Sequence, residues 1–127
     1  MYADPRAAYL ESTVATASPA RLLLLLLERL ELDAQRAHGA QLAEDFESAH
    51  RHLLHAQEIV LELSSTLDAA AFAGGAELAG LYGWLHRELV RANVTRDPTV
   101  TASCMPIITD LARMWRDAAA QSMATVA

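Results

Sequence analysis

Apolar residues recur along this chain at alternating spacings of three and four, the spacing of helices that bury one face. In the first such stretch Leu23, Leu26, Leu27, Leu30, Ala34 and Ala37 share one side of a helix. Ser18-Pro19 marks its start. A Ser at the N-cap accepts a hydrogen bond from a free first-turn N–H, and Pro at the first helical position loses no bond there. The pattern predicts a helix from about Ser18 to Ala37, ending near Gly39. Leu22, Leu25 and Leu32 make a second ridge beside Arg29 and Arg36, while Leu24 falls on the polar side. A one-sided core needs only about three apolar residues per two turns. The run Leu22 to Leu27 exceeds that, so its surplus side chains need something more to touch.

Three further helices are predicted. The second covers about Gln41 to Leu67, with Leu42, Phe46, Ala49, Leu53, Ala56, Val60, Leu63 and Leu67 in a sustained heptad. Gly74-Gly75 breaks it. The third runs from about Ala76 to Asn93 on Leu78, Tyr82, Leu85, Leu89 and Ala92, with Leu81 and Trp84 to one side. Asn93 is a residue able to close a helix in the left-handed conformation. Asp97-Pro98 opens the fourth, whose face is Val100, Cys104, Ile107, Leu111, Met114 and Ala118, with Ile108 and Trp115 beside it. Pro106 removes a hydrogen bond there, so this helix either kinks or begins its ordered part near Ser103. Fraying is expected after Ala120, over residues 121–127. The predicted fold is all-α: an antiparallel four-helix bundle in a single domain, 1–127, with a short N-terminal segment, 1–17, packing on it.

Charge narrows the function classes. The net charge is −6, and all ten cations are Arg. Residues 41–70 carry Glu44, Asp45, Glu47, Glu58, Glu62 and Asp68 against Arg51, which is −5. That balance argues against nucleic acid as partner, because phosphate binding needs a basic face. The leucine run is too short for a membrane span and is followed at once by Glu28 and Arg29, so no membrane insertion is expected. A lone Cys104 excludes an intramolecular disulfide and fits a cytoplasmic protein.

Candidate chemistry is sparse. His52 and His55, three apart, share a helix face with Glu58 and Glu62 below them, a spacing able to bind zinc. The heptad turns them away from the core toward solvent. No Glu-x-x-His pair of the di-iron bundles occurs. Cys104 lies on an apolar face and reads as a small hydrophobe. Ser18 reads as a cap. No enzyme activity and no cofactor or metal is therefore expected. The apolar surplus in Tyr9–Val14, the second ridge of helix one, and Leu81 with Trp84 suits a protein that lays another chain's amphipathic helix into its own grooves.

These residues resemble the FliS family, the flagellin-specific export chaperones of bacterial flagella. The resemblance begins with Tyr9, Val14 and Thr16-Ala17-Ser18-Pro19, and continues through Leu22 and Leu25-Leu26. It returns at Leu81-Tyr82, Leu85, Arg87, Leu89 and Ala92-Asn93, then at Leu111 and Trp115. The family's Met-Leu-Tyr-Asp-Gly is Leu25-Leu26-Leu27-Glu28-Arg29 here, Trp84 replaces a common Tyr, and Pro106 is unusual.

The resemblance implies a cytosolic, non-enzymatic chaperone that binds the disordered C-terminal segment of flagellin, prevents premature polymerisation and offers it to the flagellar type III export apparatus. With the apolar surplus, it implicates Tyr9, Val14, Leu22, Leu25, Leu81, Tyr82, Trp84 and Leu85 in flagellin binding. It also implies an N-terminal segment able to cover the groove. Two rival readings stand beside this one. One is a metal- or ligand-binding bundle using His52 and His55, which metal analysis separates. The other is a second ridge that merely makes a homodimer, which sizing with a flagellin peptide separates.

Overall fold

Ser18 starts the first helix through its own side chain: Oγ accepts from the Arg21 N–H at 3.1 Å, and Pro19 follows in the first turn. The structure, a computed structural model, describes residues 18–126. It contains four helices: α1 (Pro19–Leu42), α2 (Phe46–Thr66), α3 (Gly75–Thr95) and α4 (Pro98–Val126). No strand occurs among the described residues. Cross-helix pairs fix the topology. His55 of α2 meets Asp33 of α1, Gln57 of α2 meets the Leu89 carbonyl of α3, Trp115 of α4 meets Tyr82 of α3, and Arg116 of α4 meets Glu31 of α1. Each helix is antiparallel to its neighbours, and α1 closes the ring by packing on α4. The result is an up-down-up-down four-helix bundle.

The core takes the expected stripe of α3 whole and that of α1 from Leu27 on, while Leu23 and Leu26 are only half-buried against it. Leu27, Leu30, Ala34 and Ala37 of α1 are buried, and so are Leu78, Tyr82, Leu85, Leu89 and Ala92 of α3. In α2 the stripe is Ala49, Leu53, Ala56, Ile59, Val60 and Leu63. Leu42, which the heptad assigned to α2, ends α1 instead and is exposed.

Two helices end later than the sequence predicts. Gly39 does not stop α1. The stop is Glu44, at φ 59°, with its N–H donating to the Gln41 carbonyl at 3.0 Å and the Asp45 N–H donating to the Ala40 carbonyl at 2.8 Å. That pair of bonds is a Schellman closure. Asp45 then caps α2, its carboxylate accepting from the Ser48 N–H at 3.2 Å. Likewise Asn93 stays helical, and Arg96, at φ 55°, takes the left-handed position after α3. Between α2 and α3, Gly74 sits at φ 86°, and a Cβ on Gly75 would lie 2.0 Å from the Ala69 carbonyl oxygen, so only glycine fits there.

In α4 the helix is continuous through Pro106, with no restart near Ser103. Pro106 faces solvent, where the carbonyl it leaves unbonded is not trapped in the core. The helix also continues to Val126, past Ala120. Its buried side is rotated from the expected one: Val100, Thr101, Cys104, Ile108, Leu111 and Ala112 are buried, while Ile107 is only half-buried and Met114 and Ala118 are exposed.

Glu44 bears a left-handed conformation that costs an L-residue with a Cβ about 1–2 kcal/mol. Glu44→Gly is therefore expected to stabilise the bundle by about 1 kcal/mol, after allowing for the looser unfolded chain. In urea this appears as a higher midpoint at unchanged slope. A lower midpoint would mean that the Glu44 side chain, not the backbone, governs this turn.

Candidate docking surface

Three edges of the bundle carry large apolar side chains that the core does not absorb. On α1, Leu22 and Leu25 are 37% and 41% exposed, and share a face with Arg29. Arg29 pairs with Asp33 at 3.2 Å, and Asp33 faces α2, so this ridge borders the α1/α2 seam. On α2, Leu54 and Leu61 are 41% and 52% exposed. Their spacing from His50 and Gln57 puts all four on one side of the helix. His50 and Gln57 reach α3, so Leu54 and Leu61 border the α2/α3 seam. On the α3/α4 seam, Leu81, Ile107 and Met114, together with Asp110 and the buried Leu111, line a shallow groove of about 210 Å³.

The bundle's two ends differ. At one, Pro19, Ala20, Leu23, Thr66 and Trp115 line an apolar cleft of about 400 Å³ beside Ser18. Phe72 approaches Trp115 edge-on at 6.3 Å, and the Trp115 Nε1–H donates to the Tyr82 hydroxyl at 3.2 Å. Burial pushes the Tyr82 phenol up, so it stays neutral. At the other end Gln41, itself buried, donates to the Ala92 carbonyl at 3.1 Å and accepts from the Thr101 hydroxyl at 2.6 Å.

The residues singled out in the sequence fall into three groups. Leu22, Leu25, Leu81 and Trp84 lie on the edges, the last two half-buried against the core. Tyr82 and Leu85 are at 1% and 0% exposure and belong to the core beneath those edges. Tyr9 and Val14 lie outside the described residues. Leu54 and Leu61 were passed over in the sequence because they fall outside the heptad. Their signal was a pair seven apart, on one face, beside an already complete stripe.

His52 and His55 do not simply face solvent. Both turn Nδ1 toward the fully buried Asp33 carboxylate; His55 contacts Oδ2, and His52 stands 3.9 Å from Oδ1. Oδ1 has the Arg29 ion pair but no well-directed hydrogen bond. No group of three or more metal-ligating side chains is arranged for an ion among the described residues. Cys104 is fully buried, and burial, then the nearby Glu88 charge, pushes its thiol up to about 11. A thiol so shifted is a poor nucleophile. No described helix is long and apolar enough to cross a membrane.

Fold and edges together define a class: an all-α bundle with apolar side chains to spare along its seams and its one cysteine buried in the core. The chain matches, over residues 2–122, the family described as "Flagellar protein FliS", and it belongs to that family. It is also 31% identical over 119 residues to "Flagellar secretion chaperone FliS" of Bacillus subtilis (strain 168), an alignment covering 91% of this chain and 86% of the relative. FliS proteins are chaperones and not enzymes, in agreement with the sequence reading.

Cys104 gives a direct check on that reading. At pH 8 iodoacetamide is expected to leave the native thiol unlabelled and to label it fully in urea, because the raised thiol lacks both charge and access. Rapid native labelling would contradict the buried placement.

Proposed function

We propose that this protein is a cytoplasmic secretion chaperone that binds the C-terminal segment of flagellin, keeps it from polymerising and delivers it to the flagellar export apparatus. The observation that carries the proposal is the set of exposed leucines on separate seams: Leu22 and Leu25 on α1, Leu54 and Leu61 on α2. Leucines spread over several edges suit a long partner that wraps the bundle better than one compact partner docked on a single face. Ordering a disordered segment offsets about 2–5 kcal/mol of contact energy, so an extended apolar interface is required. Family membership and the relative's name support the secretion role.

Calorimetric titration with a flagellin C-terminal peptide should give one-to-one binding with a strongly negative heat-capacity change, the mark of buried apolar surface. Leu25→Ser should weaken that binding with little loss of stability, since Leu25 is 41% exposed. Leu53→Ala, in the centre of the core, should do the reverse and cost about 2–5 kcal/mol of stability. The proposal fails if the peptide shows no binding at high micromolar concentration. Normal binding by Leu25→Ser would remove the α1 ridge from the site.

Residues 1–17 enter as a second part of the proposal. Tyr9, Leu10 and Val14 are apolar, and the segment joins the bundle at Ser18, beside the apolar cleft of about 400 Å³. It covers part of the client surface when no client is bound, and a competing cover lowers affinity by the closed fraction. Deleting residues 1–14 should therefore tighten client binding while helicity holds. Weaker binding would make the segment part of the client site, and unchanged affinity in a folded truncation would exclude both roles.

A further inference from the structure

At the Gln41 end of the bundle a cleft of about 260 Å³ opens where the start of α2 meets the end of α3. Phe46 and Val94 form apolar walls, and His50, Asn93 and Arg96 bring polar groups. No carboxylate lines it, although the chain carries a net charge of −6. The Arg96 guanidinium lies over the Phe46 ring at 5.1 Å and makes no ion pair among the described residues. Stacking of this kind leaves the edge of the guanidinium plane free to donate two parallel bonds to a carboxylate. Asn93 Nδ2 stands 2.9 Å from His50 Nδ1, so the ring's other nitrogen, Nε2, is the free one. The positive end of α2 and the negative end of α3 meet here and oppose one another, which leaves Arg96 as the deciding charge.

The occupant follows from size and position. Sites that enclose a whole small-molecule ligand usually span about 300–1,000 Å³, so this cleft suits a single terminal residue. It also continues an apolar edge. Leu61, Leu54 and His50 descend one face of α2 toward it, over roughly 16 Å at 1.5 Å per residue, the length of about three helical turns. A helix lying along Leu61 and Leu54 with its C-terminus in the cleft would run antiparallel to α2. The negative end of its own dipole would then face Arg96.

We propose that this cleft receives the C-terminal carboxylate of the bound client, with Arg96 holding the carboxylate and Phe46 and Val94 holding the last side chain. The proposal rests on the flagellin reading above and adds a requirement that reading does not have: the client must end there, as a free acid. Capture of a terminal carboxylate is a known mode of peptide recognition, here served by side chains.

The test compares two synthetic peptides of a flagellin C-terminal segment, one ending in the free acid and one in the amide, titrated at low salt. For the native chaperone the amide should bind more weakly by about tenfold or more, the scale of one charge-assisted bond pair. Arg96→Gly is the matching variant. It removes the guanidinium at a position whose φ of 55° favours glycine, so the fold is retained. It should bind the acid as weakly as the native protein binds the amide, and should no longer distinguish the two. Equal affinity of the native protein for acid and amide would overturn the cleft assignment while leaving the flagellin reading intact. A difference that survives in Arg96→Gly would also overturn it. Absence of binding by either peptide would remove both together.

Discussion

One glutamine side chain joins three of the four helices. Gln41, at 3% exposure near the end of α1, donates to the Ala92 carbonyl of α3 and accepts from the Thr101 hydroxyl of α4. The Ala92 carbonyl also accepts from the Arg96 and Asp97 N–H groups, but the Gln41 amide and the Thr101 hydroxyl are buried, and such a group costs about 1–3 kcal/mol if left without a partner. Their mutual satisfaction is therefore specific: sliding any of the three helices by one turn breaks at least one bond. This fixes the registers of α1, α3 and α4 at one end. Among the described residues no side chain joins three helices at the opposite end, where Pro19, Leu23, Thr66 and Trp115 surround an apolar cleft. One end is closed by a buried three-helix set of directed bonds; at the other, the Trp115–Tyr82 hydrogen bond joins only α3 and α4, and the rest of the closure is apolar contact, which has no direction and is easily exchanged for other apolar contact.

The α1/α2 seam adds a second constraint of another kind. Asp33 is fully buried there, facing Arg29 from its own helix and His52 and His55 from α2. A buried carboxylate is expensive unless paired, and pairing rarely yields a large net gain. What it does supply is a position: the carboxylate must sit opposite the two histidines, and a shift of α2 leaves it with Arg29 alone. Small side chains help the helices approach, with Ala34 and Ala37 on α1 and Ala49 and Ala56 on α2 all buried. The surface ion pairs, such as Arg91–Glu88 at 2.7 Å and Arg113–Asp110 at 3.7 Å, are exposed and contribute little by comparison.

A rigid bundle with polar constraints inside leaves its apolar surplus on the seams. Seams between packed helices are preformed grooves able to receive an amphipathic segment of another chain. The buried, uncharged Cys104 and the caps Ser18 and Asp45 all have structural explanations. That leaves the edges, the two end clefts and Arg96 as the features the fold alone does not require.

Much of this was legible along the chain. The three-four spacing located the four helices, Ser18-Pro19 and Asp97-Pro98 marked two starts, the stripe of α3 matched its buried face residue by residue, and that of α1 matched at Leu27, Leu30, Ala34 and Ala37 but not at Asp33 and Gln41. Those features are local: capping and periodicity act within a turn or two, so sequence neighbours suffice to determine them. The Tyr9-to-Pro19 motif likewise pointed to the family. Tertiary structure decided the rest. Glu44 and Arg96 became the left-handed stops because neighbouring helices had to turn there, although Gly39 and Asn93 were the better local candidates. The buried side of α4 rotated to Thr101, Ile108 and Ala112 because α1 and α3 chose which face to cover. His52 and His55 found Asp33, Thr101 found Gln41, and Arg96 found Phe46, partners nineteen or more positions apart. Partners so far apart in sequence are chosen by packing, and packing exists only once the bundle has closed.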